Sequence, residues 1–460
     1  MAATPKKADR SGRGNDLQTS LAKVATAAVI IVALTFQFQP TLTVGELKLR
    51  VGLSDMVVLL LLPAFVLLFA EKQRELRQLL TPYLVVPIAA ATIAMTYGLL
   101  IGFVESDGVI SWALVKYIGW YSLLYYAFIG IVLAAYDPPR LPRIFVIAFV
   151  SGLSVIIVTY LVISSLGMYW TSHSGVRLTG FFPNANAFGL ALVCGIALVV
   201  ASDEAFSWGR RKFSREPLVA LLCAGLLFTR SIAAALALVV LVLCFLMVRR
   251  QYLPTLRIGL MASVIYFIPG TVYKLITQFE RFVQHLPPRM GLPGRFGIAE
   301  KIGGVVFDSQ NINGNVYGLT LNARLESNAK ALSAWLEQPI LGIGLGSFWE
   351  RQQQTGNAEQ TAMVIHNTAL WLLTEFGVLG LVVFACLFVS FGLFLYRAMR
   401  RLGEQDQPRA DFIFAGLLIM AGWAAMSLAH EMMYQRIPWF ILGLCAGVAL
   451  APRASKEGSS

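Results

Sequence analysis

Apolar runs recur along this chain from one end to the other, and they restrict its fold more than any other feature. Runs such as Tyr83–Val104 and Ile144–Leu166 are long enough to cross a hydrocarbon core of about 30 Å. A segment that crosses lipid has to satisfy its own backbone hydrogen bonds, so it is a helix unless it alternates like a barrel strand. None of these runs alternates. The expected fold is all-α, a polytopic membrane helix bundle of about 12 transmembrane helices. They lie over residues 21–38, 52–70, 81–104, 109–135, 142–167, 185–202, 216–229, 231–248, 256–273, 366–396, 411–430 and 437–452. The seventh is short. If it formed a re-entrant pair with the eighth, the remaining topology would be unchanged.

Charge placement gives the orientation. Only 13% of residues are charged, yet the net charge is +12. The excess lies in short loops: 71–78 (EKQRELRQ), 137–143 (DPPRLPR), 203–216 (with GRRKFSR), 249–250 and 397–409 (RAMRRLGEQDQPR). All fall on the same side as both termini, which makes that side cytoplasmic. The basic character is thereby accounted for without nucleic acid. Residues 1–20 read as a cytoplasmic basic tail with no cleavable signal, 21–273 as membrane helices 1–9, 366–452 as helices 10–12, and 453–460 as a second cytoplasmic tail. Between them, residues 274–365 form an outer loop of about ninety residues, too long for a connector, which points to a function. The five cysteines all fall in apolar spans and read as small core residues. No metal-ligand spacing appears, so neither a metal nor a cofactor is expected.

On this topology four groups project from the outer face. Arg177 lies in RLTGFFPNANAFG before span six, Arg230 in FTRSIAAAL between spans seven and eight, Arg324 in the large loop, and His366 at the mouth of span ten. An arginine at a membrane surface is often an anchor that snorkels to the headgroups. Three on the outer face run against the positive-inside pattern, and converging guanidiniums would bind phosphate or pyrophosphate bidentately.

Three segments carry a resemblance. RLTGFFPNANAFGLAL is similar to an R-x-x-G…N-x-x-A/G element, and FTRSIAAALAL to an (S/T)-R-(S/G) element that opens a helix. The block ARLESNAKALSAWLEQPILGIGLGSF, followed by IHNTALWLLTEFGVLGL, is similar to the R…P-(I/L)-L-G-x-G-x-G-x-F and H-N…L…E-x-G-x-x-G signature. Over residues 175–395 the chain thus resembles the O-antigen ligase/polymerase superfamily of membrane glycosyltransferases, with Thr229 in place of the commoner serine. The resemblance implies transfer of a glycan from undecaprenyl pyrophosphate to an acceptor sugar hydroxyl at the periplasmic face of the bacterial inner membrane. The partners would be that donor, an acceptor (lipid A–core for a ligase, a lipid-linked repeat unit for a polymerase) and membrane lipids. A protein O-glycosyltransferase or a polysaccharide transporter stands further off. A transporter would show two similar halves and polar sites at the midplane, which this chain does not.

By the same resemblance, His366 is the candidate general base. Arg177, Arg230, Arg324 and Asn367 would bind the pyrophosphate, and Asn184 and Asn186 would line the site. From topology alone, His430 in the outer turn between the last two spans is a further candidate lining residue, with an interfacial turn as the better reading. A residue in the position of His366 can also orient substrate by hydrogen bonds, or cap the helix together with Asn367. Glu375 would lie about 13 Å below His366 and about 180° round the helix, which suits a bundle contact, with Lys116 as a partner, better than catalysis. Glu431 and Arg436 read as an interfacial turn, and His173 and His285 as solvated loop residues. Gly342, Gly344 and Gly346 would let the backbone turn after a helix.

Overall fold

The structure, a computed structural model, describes residues 10–39, 51–77, 82–105, 111–166, 177–201, 207–208, 211–212, 215–284, 326–354 and 364–451. Among the described residues the regular structure is helical apart from a two-residue hairpin, Ser207–Trp208 with Arg211–Lys212, and one isolated bridge between Phe38 and Phe181. The helices are α1 (Arg10–Thr35), α2 (Leu53–Leu60), α3 (Leu62–Leu76), α4 (Pro82–Glu105), α5 (Ser111–Tyr136), α6 (Leu141–Ser165), α7 (Ala185–Ala201), α8 (Glu216–Phe228), α9 (Ile232–Arg249) and α10 (Tyr252–Gln284). After them come α11 (326–337), α12 (Ser347–Gln354), α13 (Thr368–Leu402), α14 (Gln407–Ser427) and α15 (Arg436–Leu450).

Each of the twelve expected spans falls on a helix or a bent pair. Six helices are long and apolar enough to cross a membrane alone: α4, α5, α6, α9, α13 and α14. The pair α2–α3, bent by 57°, would make a seventh. The apolar stretches of α1, α7, α8, α10 and α15 are shorter. Helix α7 is buried on every side along Ala185–Ala201, as a helix apolar all round must be in a bundle centre. Helices α5 and α15 pack backbone to backbone. A Cβ added at Gly443 would lie 2.1 Å from the Ala127 carbonyl oxygen, and one at Gly130 would lie 2.3 Å from that of Phe440. Small residues at such crossings let membrane helices approach closely where lipid offers no hydrophobic drive.

Two expectations are corrected. Cys386 is exposed on the bundle surface and Cys244 is half-buried, so only Cys194, Cys223 and Cys445 are core residues. Expected span ten is also not continuous. Within α13, Gly377 takes φ 66° and ψ −169°, which breaks the helix in two. The break is filled by the segment after α11. Ile343 and Gly344 donate N–H to the carbonyls of Thr374 and Glu375, at 3.0 Å each. Val378 and Leu379 donate in return to the carbonyls of Pro339 and Ile340, at 2.9 and 3.2 Å. The helix ends created by the break thus find partners in protein, the condition on which irregular backbone survives at membrane depth. The glycine run expected only to turn the chain is this wedge. Gly342, Gly344 and Gly346 all have positive φ, and Leu345 N–H donates to the Gly98 carbonyl of α4 at 2.7 Å.

Candidate active site

The turn between α8 and α9 presents Arg230. This residue is exposed and sits at φ 49°, a left-handed conformation that costs a bulky side chain about 1–2 kcal/mol. The surroundings hold it there. Arg177 Nε donates to the Thr229 carbonyl at 2.9 Å, and its Nη2 to the Arg230 carbonyl at 3.3 Å. Ser231 caps α9 by accepting from Ala234 N–H at 3.1 Å, while its hydroxyl donates to Asn186 Oδ1 at 2.5 Å. Asn184 in turn caps α7, accepting from Ala187 N–H at 2.8 Å. Arg177 and Asn186 therefore hold the turn that exposes Arg230, and Asn184 caps the helix that carries Asn186. Backbone strain held by several independent bonds is a mark of functional turns.

His366 stands one residue before the cap of α13. Asn367 is that cap: its Oδ1 accepts from Leu370 N–H at 3.0 Å, and its Nδ2 donates to the Leu428 carbonyl at 2.9 Å. Both ends of the Asn367 amide are thus committed to protein. The cap joins α13 to the turn after α14, where Thr368 Oγ1 donates to the His430 carbonyl at 3.2 Å and accepts from Met432 N–H at 3.1 Å. These bonds bring His430 to His366, Nδ1 to Nδ1 at 3.0 Å.

Helix register puts the two groups at the same end of the bundle. At Gly422 of α14, a Cβ would lie 2.9 Å from Val193 of α7 and 3.7 Å from the Ala237 carbonyl of α9. Arg249 at the far end of α9 pairs with Asp411 of α14, and a Cβ at Gly189 of α7 would lie 2.6 Å from Ala234 of α9, so away from Asp411 α7 runs to Asn186, α9 to Ser231 and α14 to the His430 turn. Arg177, Arg230, His366, Asn367 and His430 therefore share one rim. Arg324, His173 and His285 lie outside the described residues.

Beneath the rim is a buried ion pair that the sequence did not disclose. Lys116 of α5 pairs with Glu431, not with Glu375, the side chains being 9% and 11% exposed. Its ammonium also lies 4.4 Å from the Tyr434 ring centroid and 4.9 Å from that of Trp371. Glu375 is buried and accepts from the Trp371 indole at 2.7 Å, one turn away on its own helix. Arg436, also in the presumed interfacial turn, donates to Asp55 at the start of α2 at 2.6 Å. Removing one partner of a buried pair leaves the other charge uncompensated. Lys116→Met is therefore expected to cost about 3–5 kcal/mol, read as a lower melting temperature of the purified protein. Lys116→Met with Glu431→Gln should recover most of that loss.

The rim thus offers an exposed guanidinium on a braced turn and an imidazole pair on a helix cap, suited respectively to anion binding and proton transfer. Residues 217–385 match the family model of the O-antigen ligase. The matched stretch holds Arg230, Arg324, His366, Asn367 and the helix break, while Arg177, Asn184, Asn186 and His430 lie outside it. No curated protein matches the chain.

Proposed function

We propose, from the match of residues 217–385 to the O-antigen ligase family model, that the protein is a membrane glycosyltransferase that moves a glycan from undecaprenyl pyrophosphate to a hydroxyl of lipid A–core. The reaction takes place at the periplasmic face of the inner membrane, with twelve helices crossing and both termini in the cytoplasm. The observation that carries this reading is the shared rim of Arg230, on its strained and braced turn, and His366, on its cap. A lipid pyrophosphate leaving group sits at the membrane surface and gains charge as the glycosidic bond breaks. Fixed guanidiniums there stabilise the transition state more than the ground state. Arg230 takes the phosphate, Arg177 holds the turn and adds to the positive field, and Arg324 completes the clamp from the loop. His366 removes the proton of the acceptor hydroxyl.

The test is deletion of the gene, followed by analysis of lipopolysaccharide and lipid-linked glycan. Loss of capped core with accumulation of long lipid-linked chains is the expected outcome. Only single repeat units remaining would instead identify a polymerase, whose acceptor is another lipid-linked unit. Complementation with Arg230→Lys should fail to restore capping, because an ammonium cannot reproduce the bidentate fork. Full restoration would count against the phosphate clamp.

A further inference from the structure

We propose that His430 is a positioning residue: its Nδ1 accepts the Nδ1–H of His366 and so fixes His366 in the tautomer whose Nε2 takes the acceptor's proton. The proposal rests on the reading of His366 as the base. The two rings lie within 14° of parallel, with centroids 5.1 Å apart and Nδ1 atoms 3.0 Å apart. Centroids so much farther apart than the nearest atoms mean that the rings meet edge to edge, not face to face. Ring N–H bonds and nitrogen lone pairs lie in the ring plane, so this is the geometry of an N–H···N hydrogen bond.

A neutral imidazole has one N–H and one lone pair, which leaves two arrangements. If His430 donates, His366 carries its proton on Nε2 and has no lone pair for the acceptor. If His366 donates, Nε2 holds the lone pair and His430 takes the orienting role that a carboxylate fills in hydrolytic triads. In the second arrangement the acceptor O–H bond breaks as Nε2–H forms. The oxygen keeps the electron pair and bonds to the anomeric carbon, while the carbon–oxygen bond to the pyrophosphate breaks and that oxygen leaves with its pair. His366 then carries the charge, and its Nδ1–H to His430 becomes a charge-assisted bond. The proton later passes from Nε2 to the departed phosphate or to water.

The neighbouring carboxylate, Glu431, is already held by Lys116. The place of the His430 ring is set by backbone bonds that survive its replacement: its N–H to the Met426 carbonyl at 2.9 Å and its own carbonyl to Thr368 Oγ1 at 3.2 Å.

The chain has four histidines, which makes the test direct. Full-length protein labelled with ¹⁵N-histidine, in lipid nanodiscs, is examined by NMR, with His366→Asn and His430→Asn supplying assignments. His366 should be protonated at Nδ1 and bare at Nε2, with a through-bond coupling to a bare His430 Nδ1. A proton on His366 Nε2 with Nδ1 bare, or no coupling in the folded protein, would overturn the proposal. No glycan is needed, so this result stands apart from the transferase reading. In the deletion strain, at equal membrane abundance, His430→Ala should lower capping at least about tenfold, and His430→Asn, whose amide oxygen can accept, should restore part of it. Wild-type capping by His430→Ala would also overturn the proposal, whereas wild-type capping by His366→Ala would remove the base reading itself.

Discussion

His366→Ala should reduce glycan transfer by about 10²–10⁴-fold, the usual contribution of a positioned general base, with little effect on the amount of folded protein. The two effects separate because the histidine ring does not hold the helix end together. Asn367 caps α13 and reaches the Leu428 carbonyl, and Thr368 ties the cap to the turn after α14. All three bonds survive the substitution. The measurement is transferred glycan per unit of protein in isolated membranes, compared across donor concentrations. A loss confined to turnover at saturating donor identifies proton transfer, whereas a loss confined to half-saturation would reassign His366 to binding.

Gly377→Ala is expected to prevent folding. At φ 66° and ψ −169° the residue occupies a region open essentially to glycine alone. An added Cβ would stand 2.2 Å from the Ile340 carbonyl oxygen and 2.6 Å from Leu341 N, both backbone atoms that cannot swing aside. Relief requires expelling the 338–344 wedge, which would leave the carbonyls of Thr374 and Glu375 and the N–H groups of Val378 and Leu379 without partners. Each buried polar group so stranded costs about 1–3 kcal/mol by mutational measure, and four of them rival the stability of a whole domain. The readout is recovery of monodisperse protein after detergent extraction. Gly392→Ala is the control in the same helix, since its Cβ would meet only the flexible Met420 side chain, its methyl at 3.5 Å and its sulfur at 4.0 Å. That variant should be recovered like wild type.

The contrast between these residues shows how far the sequence could be read. The positions of His366, Arg230 and Asn367 at helix mouths were legible because a polar residue that borders an apolar run marks where the helix begins. The helix positions were legible because hydropathy reports on each segment separately. The break at Gly377 was not, because the apolar runs on either side average into one span and Glu375, the polar residue beside the break, reads as a bundle contact. Only the wedge, whose residues lie about 35 positions earlier in the chain, makes the break stable. Three alternate glycines after Pro339 were the available signal, and they read as a simple turn. The Lys116–Glu431 pair was hidden for a related reason. Glu375 was the nearer acidic candidate by depth, and nothing local says that Glu431 folds back beneath the rim. His430 was visible as a polar residue in a turn, but its edge-on approach to His366 depends on how Thr368 fixes that turn.

The Lys116–Glu431 pair also bears on the order in which the protein is made. The two residues are 315 positions apart. With synthesis at about 5–20 residues per second, the lysine reaches the membrane about 15–60 s before its carboxylate exists. It lies near the start of α5, where a long side chain can extend to the headgroups and keep its charge solvated in the interval. Its burial between Trp371 and Tyr434 must await α14 and the turn that follows it. A chain truncated before α14 would lack both His430 and Glu431 and would hold an unclosed rim above an unpaired lysine.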